Sequence, residues 1–204
     1  MTLLRLVENF SLDINTSENY DEIVRQQTLK SVFQPIINLS NGSILGYEGL
    51  IRGPENTNLH SPIELFRLAK EKNTVCELEL LSLQIVLESF AKHSCTNKIF
   101  INVSPKCLLR FDQNKVISLS YIENLGLNPK NIVLELTESS PTFDYSSLYS
   151  VIDTYRNVGF QIAIDDLGEG FSSLRLWSEL QPDYVKIDKH FIKDINLDPV
   201  KLQF

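Results

Sequence analysis

The sequence predicts an α/β protein, and three observations point there. Of six short apolar runs, four are rich in Ile and Val and show little polar alternation until their ends, as strands buried on both faces do. The stretches between them carry helical periodicity and helix-terminating residues. The polar residues closing successive runs lie 54, 33, 30 and 21 residues apart, from Glu48 through Asn102, Glu135 and Asp165 to Lys186. Three of these intervals suit one βα unit each, and the first has room for an extra helix.

Taken in order, the elements are these. The first 28 residues (1–28) are polar and acidic and predict an extension with a helix around Tyr20–Leu29, without a site. The strand runs are VFQPIINL from Val32, ILGYEGLI from Ile44, KIFINVS from Lys98, NIVLELTE from Asn131, FQIAIDD from Phe160 and DYVKID from Asp183. Ser61-Pro62-Ile63-Glu64 places a capping Ser, a Pro at the first helical position and a Glu to close a capping box. Val75–Lys92 has Leu78, Leu81, Ile85 and Phe90 on one predicted helical stripe. Leu148, Val151, Ile152 and Tyr155 repeat that spacing, with Gly159 as the C-terminal cap.

Composition narrows the class. A length of 204 residues suits one domain, and 43% hydrophobic with 22% charged residues excludes a disordered or fibrous chain. No apolar run approaches the roughly 20 residues needed to cross a bilayer. The N-terminal MTLLRLVENFSLDIN has one basic residue and no secretory pattern, so no membrane segment and a cytoplasmic location are expected. A net charge of −7 has the wrong sign for a nucleic-acid polymer. A phosphate ligand would need a focused basic spot or bound cations. Cys76, Cys95 and Cys107 are odd in number without CxxC spacing, which predicts reduced, buried thiols. His60, His93 and His190 are scattered singly, so a histidine metal site is not expected.

The strand-final polar residues carry the chemistry. In parallel α/β folds the carboxyl ends of the strands share one face, where active sites are built. Side-chain alternation puts Phe100 and Asn102 on one face, and Val133, Glu135 and Thr137 likewise. Glu48, Asn102, Glu135, Asp165 and Lys186 then line one cup. Clustered carboxylates with an amide oxygen suit hard divalent cations, Mg²⁺ or Mn²⁺. Where the backbone turns at a strand end, the adjacent Asp165 and Asp166 can both serve a two-metal site. Lys186 can hold a water there, or deprotonate it if nearby cations depress its pKa. The competing reading is structural: Asp165-Asp166 before Gly168 as turn chemistry, Asn102 as a helix cap, Lys186 as a surface lysine.

Glu48-Gly49-Leu50-Ile51-Arg52 has the pattern ExLxR and resembles the signature of the EAL domain family, the cyclic di-GMP phosphodiesterases. QPI (Gln34–Ile36), FINVSP (Phe100–Pro105), LELTES (Leu134–Ser139), DDLGEGFSSL (Asp165–Leu174) and DYVKID (Asp183–Asp188) follow in the family's order. The resemblance implies a TIM-type barrel with one antiparallel edge strand, the one bearing Gln34, and a domain spanning 29–204. It implies Glu48, Asn102, Glu135 and Asp165 as first-metal ligands, Asp166 as second-metal ligand, and Lys186 on the nucleophilic water. Gln34, Leu50 and Arg52 are implied to contact the dinucleotide, and Glu138 to anchor the loop Leu167–Ser172. The implied activity is hydrolysis of cyclic di-GMP to linear pGpG with two Mg²⁺ or Mn²⁺ ions; a receptor that binds without hydrolysing is the alternative. A homodimer and fused or associated signalling domains are further implications.

Three departures qualify the resemblance. Gly49 replaces Ala at the motif's middle position. DDLGEGFSS stands for DDFGTGYSS, so Leu167, Glu169 and Phe171 differ. The family's AEGVE-like and QGY strands have no counterpart, so the barrel is expected to stop before its last two strands.

Overall fold

The computed structural model describes residues 19–110, 117–136, 145–167 and 171–203. Residues 19–26 form α1, the described part of the predicted N-terminal helix. A hairpin follows, β1 (Lys30–Ile37) and β2 (Ile44–Arg52). Its turn is held by Asn38, whose side chain accepts the Ser40 N–H at 3.0 Å, and by Asn41, which accepts the Ser43 N–H at 2.9 Å. Gly42 at φ 71° supplies the left-handed residue that turn requires.

From β2 the chain alternates. Helices α2 (Pro62–Glu71) and α3 (Val75–Ala91) lead to β3 (Lys98–Val103). Then come α4 (Pro105–Arg110), α5 (Leu119–Asn124) and β4 (Ile132–Leu136). The remainder is α6 (Tyr145–Val158), β5 (Gln161–Leu167), α7 (Phe171–Leu180), β6 (Tyr184–Ile187) and the short α8 (Lys189–Ile192). The extra helix anticipated before β3 is thus present as the α2–α3 pair.

The six strands form one sheet in sequence order, β1 antiparallel to β2 and all others parallel. This is the TIM-type α/β architecture, with the antiparallel strand at its edge. Strands β1 and β6 are the two outer strands of the sheet.

The sheet's two faces differ. Ile99, Ile101, Val103, Ile132, Leu134, Leu136, Ile162 and Ile164 are buried against the helices, in the main core. On the opposite face Phe100, Val133 and Ala163 make a small separate cluster with Ile36, Leu45 and Tyr184. The Phe100 and Tyr184 rings meet edge to face, 5.3 Å between centroids. That cluster is the floor of the cup.

Several local expectations change. Ser61 starts α2, but its side chain makes no capping hydrogen bond, and Glu64 instead pairs with Arg67 at 2.9 Å, so the capping box is not closed. Helix α3 buries more than one stripe: Leu83, Val86 and Leu87 join Leu78, Leu81 and Phe90, because the helix lies between the sheet and its neighbours α2 and α4. Gly159 does end α6, at φ 113°. The expected reduced thiols are corrected by a Cys76–Cys107 disulfide, with Cys95 free. Pairing depends on how closely two backbones approach, here 5.0 Å between Cα atoms of α3 and α4, and spacing in sequence does not disclose that.

In the N-terminal helix Tyr20 is buried and its hydroxyl meets Thr74 Oγ1 at 2.8 Å, fastening α1 to the α2–α3 junction. No described helix is long and apolar enough to cross a membrane.

Candidate metal centre

The site follows from strand alternation. Asn102, Glu135, Asp165 and Lys186 each stand two residues beyond a member of the floor: Phe100, Val133, Ala163 and Tyr184. Every second residue returns to the same face, so four strands raise a polar ring above an apolar base. Glu48 joins from β2, whose backbone there pairs with Phe100.

The geometry is tight. Oxygens of Glu48, Glu135 and Asp165 all lie within 4.8 Å of one another. The Lys186 ammonium lies 3.0 Å from Glu48 Oε2, 3.1 Å from Glu135 Oε1 and 3.2 Å from Asp165 Oδ1. Asn102 Nδ2 donates to Glu48 Oε1 at 3.0 Å. Glu135 is fully buried, and its Oε1, although close to the ammonium, has no hydrogen bond among the described residues.

Burial pushes the Glu135 carboxyl up to about 7; the Lys186 ammonium opposes this, while Glu48 and Asp165 add to it. For Lys186, burial alone would lower the pKa, but Glu135, Asp165 and Glu48 outweigh it and hold the ammonium above its ordinary value. Without bound cations, then, the three surrounding carboxylates favour the charged ammonium of Lys186, which donates to Glu48 and Glu135.

This donor set fits a hard divalent cation. Among the described residues three carboxylates face one ammonium, and a buried Glu135 oxygen lacks a hydrogen bond, so positive charge and a hydrogen-bond donor are both short there. Glu48, Glu135 and Asp165 could hold the ion, with Asn102 beside them.

The remaining predicted residues divide. Asp166 stands at a bulge in β5, at φ 54°, exposed and outside the three-carboxylate group; its N–H donates to Asp165 Oδ1 at 3.1 Å. Gln34 is exposed on β1, directly across from Glu48 in the hairpin register. Leu50 and Arg52 continue the Glu48 side of β2, and the Arg52 guanidinium donates to the Ile51 carbonyl at 2.7 Å. Glu138 and residues 168–170 of the Leu167–Ser172 loop lie outside the described residues.

One functional-looking residue escaped the sequence reading. Glu79, buried on α3, accepts both the backbone N–H of Ser104 at 2.9 Å and its hydroxyl at 3.0 Å. Burial raises its pKa, and the two Ser104 hydrogen bonds oppose that rise. The signal was present: an acid sits three residues after Cys76 and four before Leu83, on a face otherwise apolar. Glu79 also lines a cavity of about 320 Å³ between α2, α3 and the β2–β3 wall. Leu50 and Asn102 also line that cavity.

A mostly parallel sheet whose strand ends gather carboxylates defines an α/β barrel-type protein with a candidate metal site. The chain belongs to the EAL domain family, whose model matches residues 17–203. It is 33% identical over 164 residues to the probable cyclic di-GMP phosphodiesterase PdeB of Escherichia coli, covering 78% of this chain and 31% of that protein. With PdeG of the same organism, also named a probable cyclic di-GMP phosphodiesterase, it shares 28% identity over 97% of this chain and 41% of PdeG. The chain thus spans less than half of these curated relatives. Among solved structures, a standalone EAL protein from Vibrio cholerae in its cyclic di-GMP-bound form aligns with a TM-score of 0.73 and 28% identity, over 86% of this chain and 72% of that one. The manganese and cyclic di-GMP complex of Klebsiella pneumoniae BlrP1 aligns at 0.75 and 24% identity, over 86% of this chain and 44% of that one, and shares the fold.

Proposed function

We propose that the cup hydrolyses cyclic di-GMP to linear pGpG with Mg²⁺ or Mn²⁺. The observation that carries this is the convergence of Glu48, Glu135 and Asp165, with a buried Glu135 oxygen left without a hydrogen bond. Glu48, Asn102, Glu135 and Asp165 would hold the first ion, and Asp166 would serve a second. Bound divalent cations supply Lewis acidity toward the phosphodiester and a water of lowered pKa. The water's oxygen bonds to phosphorus as one P–O3′ bond breaks, and its proton ends on the departing 3′ oxygen. Lys186, held protonated, orients that water by donating to it. Arg52 supplies a guanidinium to a phosphate, Leu50 an apolar contact under a base, and Gln34 a further polar contact. In this reading the chain acts in a homodimer or within a larger signalling protein, in the cytoplasm.

A receptor that binds without hydrolysing is the second reading. One observation favours it: the Lys186 ammonium already sits against all three carboxylates, so the cluster is partly neutralised without metal. Incubation with cyclic di-GMP and Mn²⁺, followed by chromatography, separates the two. Appearance of pGpG that disappears on chelation and in Glu48→Gln supports the enzyme. Saturable binding without product supports the receptor, and neither binding nor product overturns both.

A further inference from the structure

We propose that Glu79 is a positioning residue for Asn102, a role that rests on the metal-site reading above. Asn102 lies near the end of β3, and two residues later Ser104 begins the turn into α4. That turn has two fasteners to α3. Glu79 accepts both donors of Ser104, its backbone N–H and its hydroxyl, on the same oxygen, Oε2. One turn earlier on the same helical face, Cys76 is bonded to Cys107 of α4. Ser104 Oγ in turn accepts the Cys107 N–H at 3.3 Å, and the Ser104 carbonyl accepts the N–H of Leu108 at 2.9 Å. Ser104 is 7% exposed and Glu79 9%, so each is largely withdrawn from bulk water and bonded to the other.

The consequence reaches the cup through one residue of backbone. Val103, between Asn102 and Ser104, is buried against the helices. With Val103 anchored in the core and Ser104 clamped by Glu79, the peptide planes around Asn102 have little freedom. Its amide is thereby aimed at Glu48, where the hydrogen bond is 3.0 Å. A group that holds a metal ligand in place influences affinity without touching the ion. Glu79 does this from the outer face of the sheet, through the main chain.

The test uses the full chain and two independent readouts. The first is the NMR position of the Asn102 side-chain amide in metal-free protein, assigned by its loss in Asn102→Asp. The second is Mn²⁺ affinity, followed by electron paramagnetic resonance without nucleotide. In Glu79→Ala the Asn102 resonance is expected to shift or broaden, and Mn²⁺ to bind about tenfold more weakly, at the lower end of what such supporting groups contribute. Glu79→Gln keeps an acceptor oxygen for Ser104 and is expected to restore both readouts towards wild type, which also covers the case in which Glu79→Ala fails to fold. A merely structural role would lower the thermal midpoint and leave both readouts of the folded protein unchanged; that result overturns the proposal. So does a Glu79→Gln variant that folds but rescues neither readout. If wild type took up no Mn²⁺, the phosphodiesterase reading would fall, while the Asn102 resonance would still decide whether Glu79 positions it.

Discussion

Glu135 is a carboxylate removed entirely from water, with Glu48 and Asp165 beside it and one ammonium for the three. Such a group sheds its proton only near pH 7 in the metal-free protein, because burial and like charge disfavour the ionised form. A cation can bind it only after that proton leaves. Mn²⁺ affinity is therefore expected to rise with pH up to about 7 and to level off above it, with proton release on binding visible as a buffer-dependent heat in calorimetry. An affinity flat across that range would contradict the assignment. Glu48, Asn102, Glu135, Asp165 and Lys186 were legible as polar residues closing apolar runs, because alternation along a strand is a local rule. The ion pairs of Lys186 were not legible, since its three carboxylate partners come from β2, β4 and β5. Glu79 was readable only as an acid on an apolar helix face, and its partner Ser104 lies 25 residues away.

At the scale of elements, Gly49 shows why the motif's middle residue differs here. A Cβ at that position would lie 2.2 Å from Val86 Cγ1 on α3, so the helix packs directly on the bare backbone of β2. Val86 is buried and stiff about its first torsion and cannot easily turn aside. Gly49→Ala is expected to destabilise the fold by about 1–3 kcal/mol, read by urea denaturation, with Val86→Ala in the same chain recovering much of the loss. Equal stability of Gly49→Ala and wild type would contradict this contact. The second element-scale feature is the disulfide between α3 and α4, which closes a sequence separation of 31 residues. Denatured, unreduced protein is expected to show one reactive thiol, Cys95, and three after reduction. Reduction is expected to lower stability by about 3–4 kcal/mol on a loop-entropy estimate. Three thiols before reduction would remove the bond from the account. The strand runs and the helices around Tyr20, after Ser61, over Val75–Lys92 and at Leu148–Tyr155 followed from periodicity and from Pro and Gly punctuation. The direction of β1 did not follow from its own residues; it came from the resemblance, because a strand's polarity in a sheet is set by its connection, here a tight hairpin turn.

For the molecule as a whole, five parallel strands and one antiparallel strand curl so that residues from opposite ends of the chain meet: Glu48 and Lys186 are 138 positions apart and 3.0 Å in contact. The spacing of strand-final residues made a parallel α/β fold legible. The curl that closes the cup was not legible from spacing, because it arises from twist accumulated over the whole sheet. In the proposed reaction this cup uses metal to drive water onto a cyclic di-GMP phosphodiester. Mass spectrometry of the product formed with Mn²⁺ in water enriched in heavy oxygen tests this most directly. The expected result is pGpG carrying one heavy oxygen in its new terminal phosphate, abolished by chelation and by Glu48→Gln. Cyclic di-GMP recovered intact from wild type, or product formed equally without metal, would contradict it.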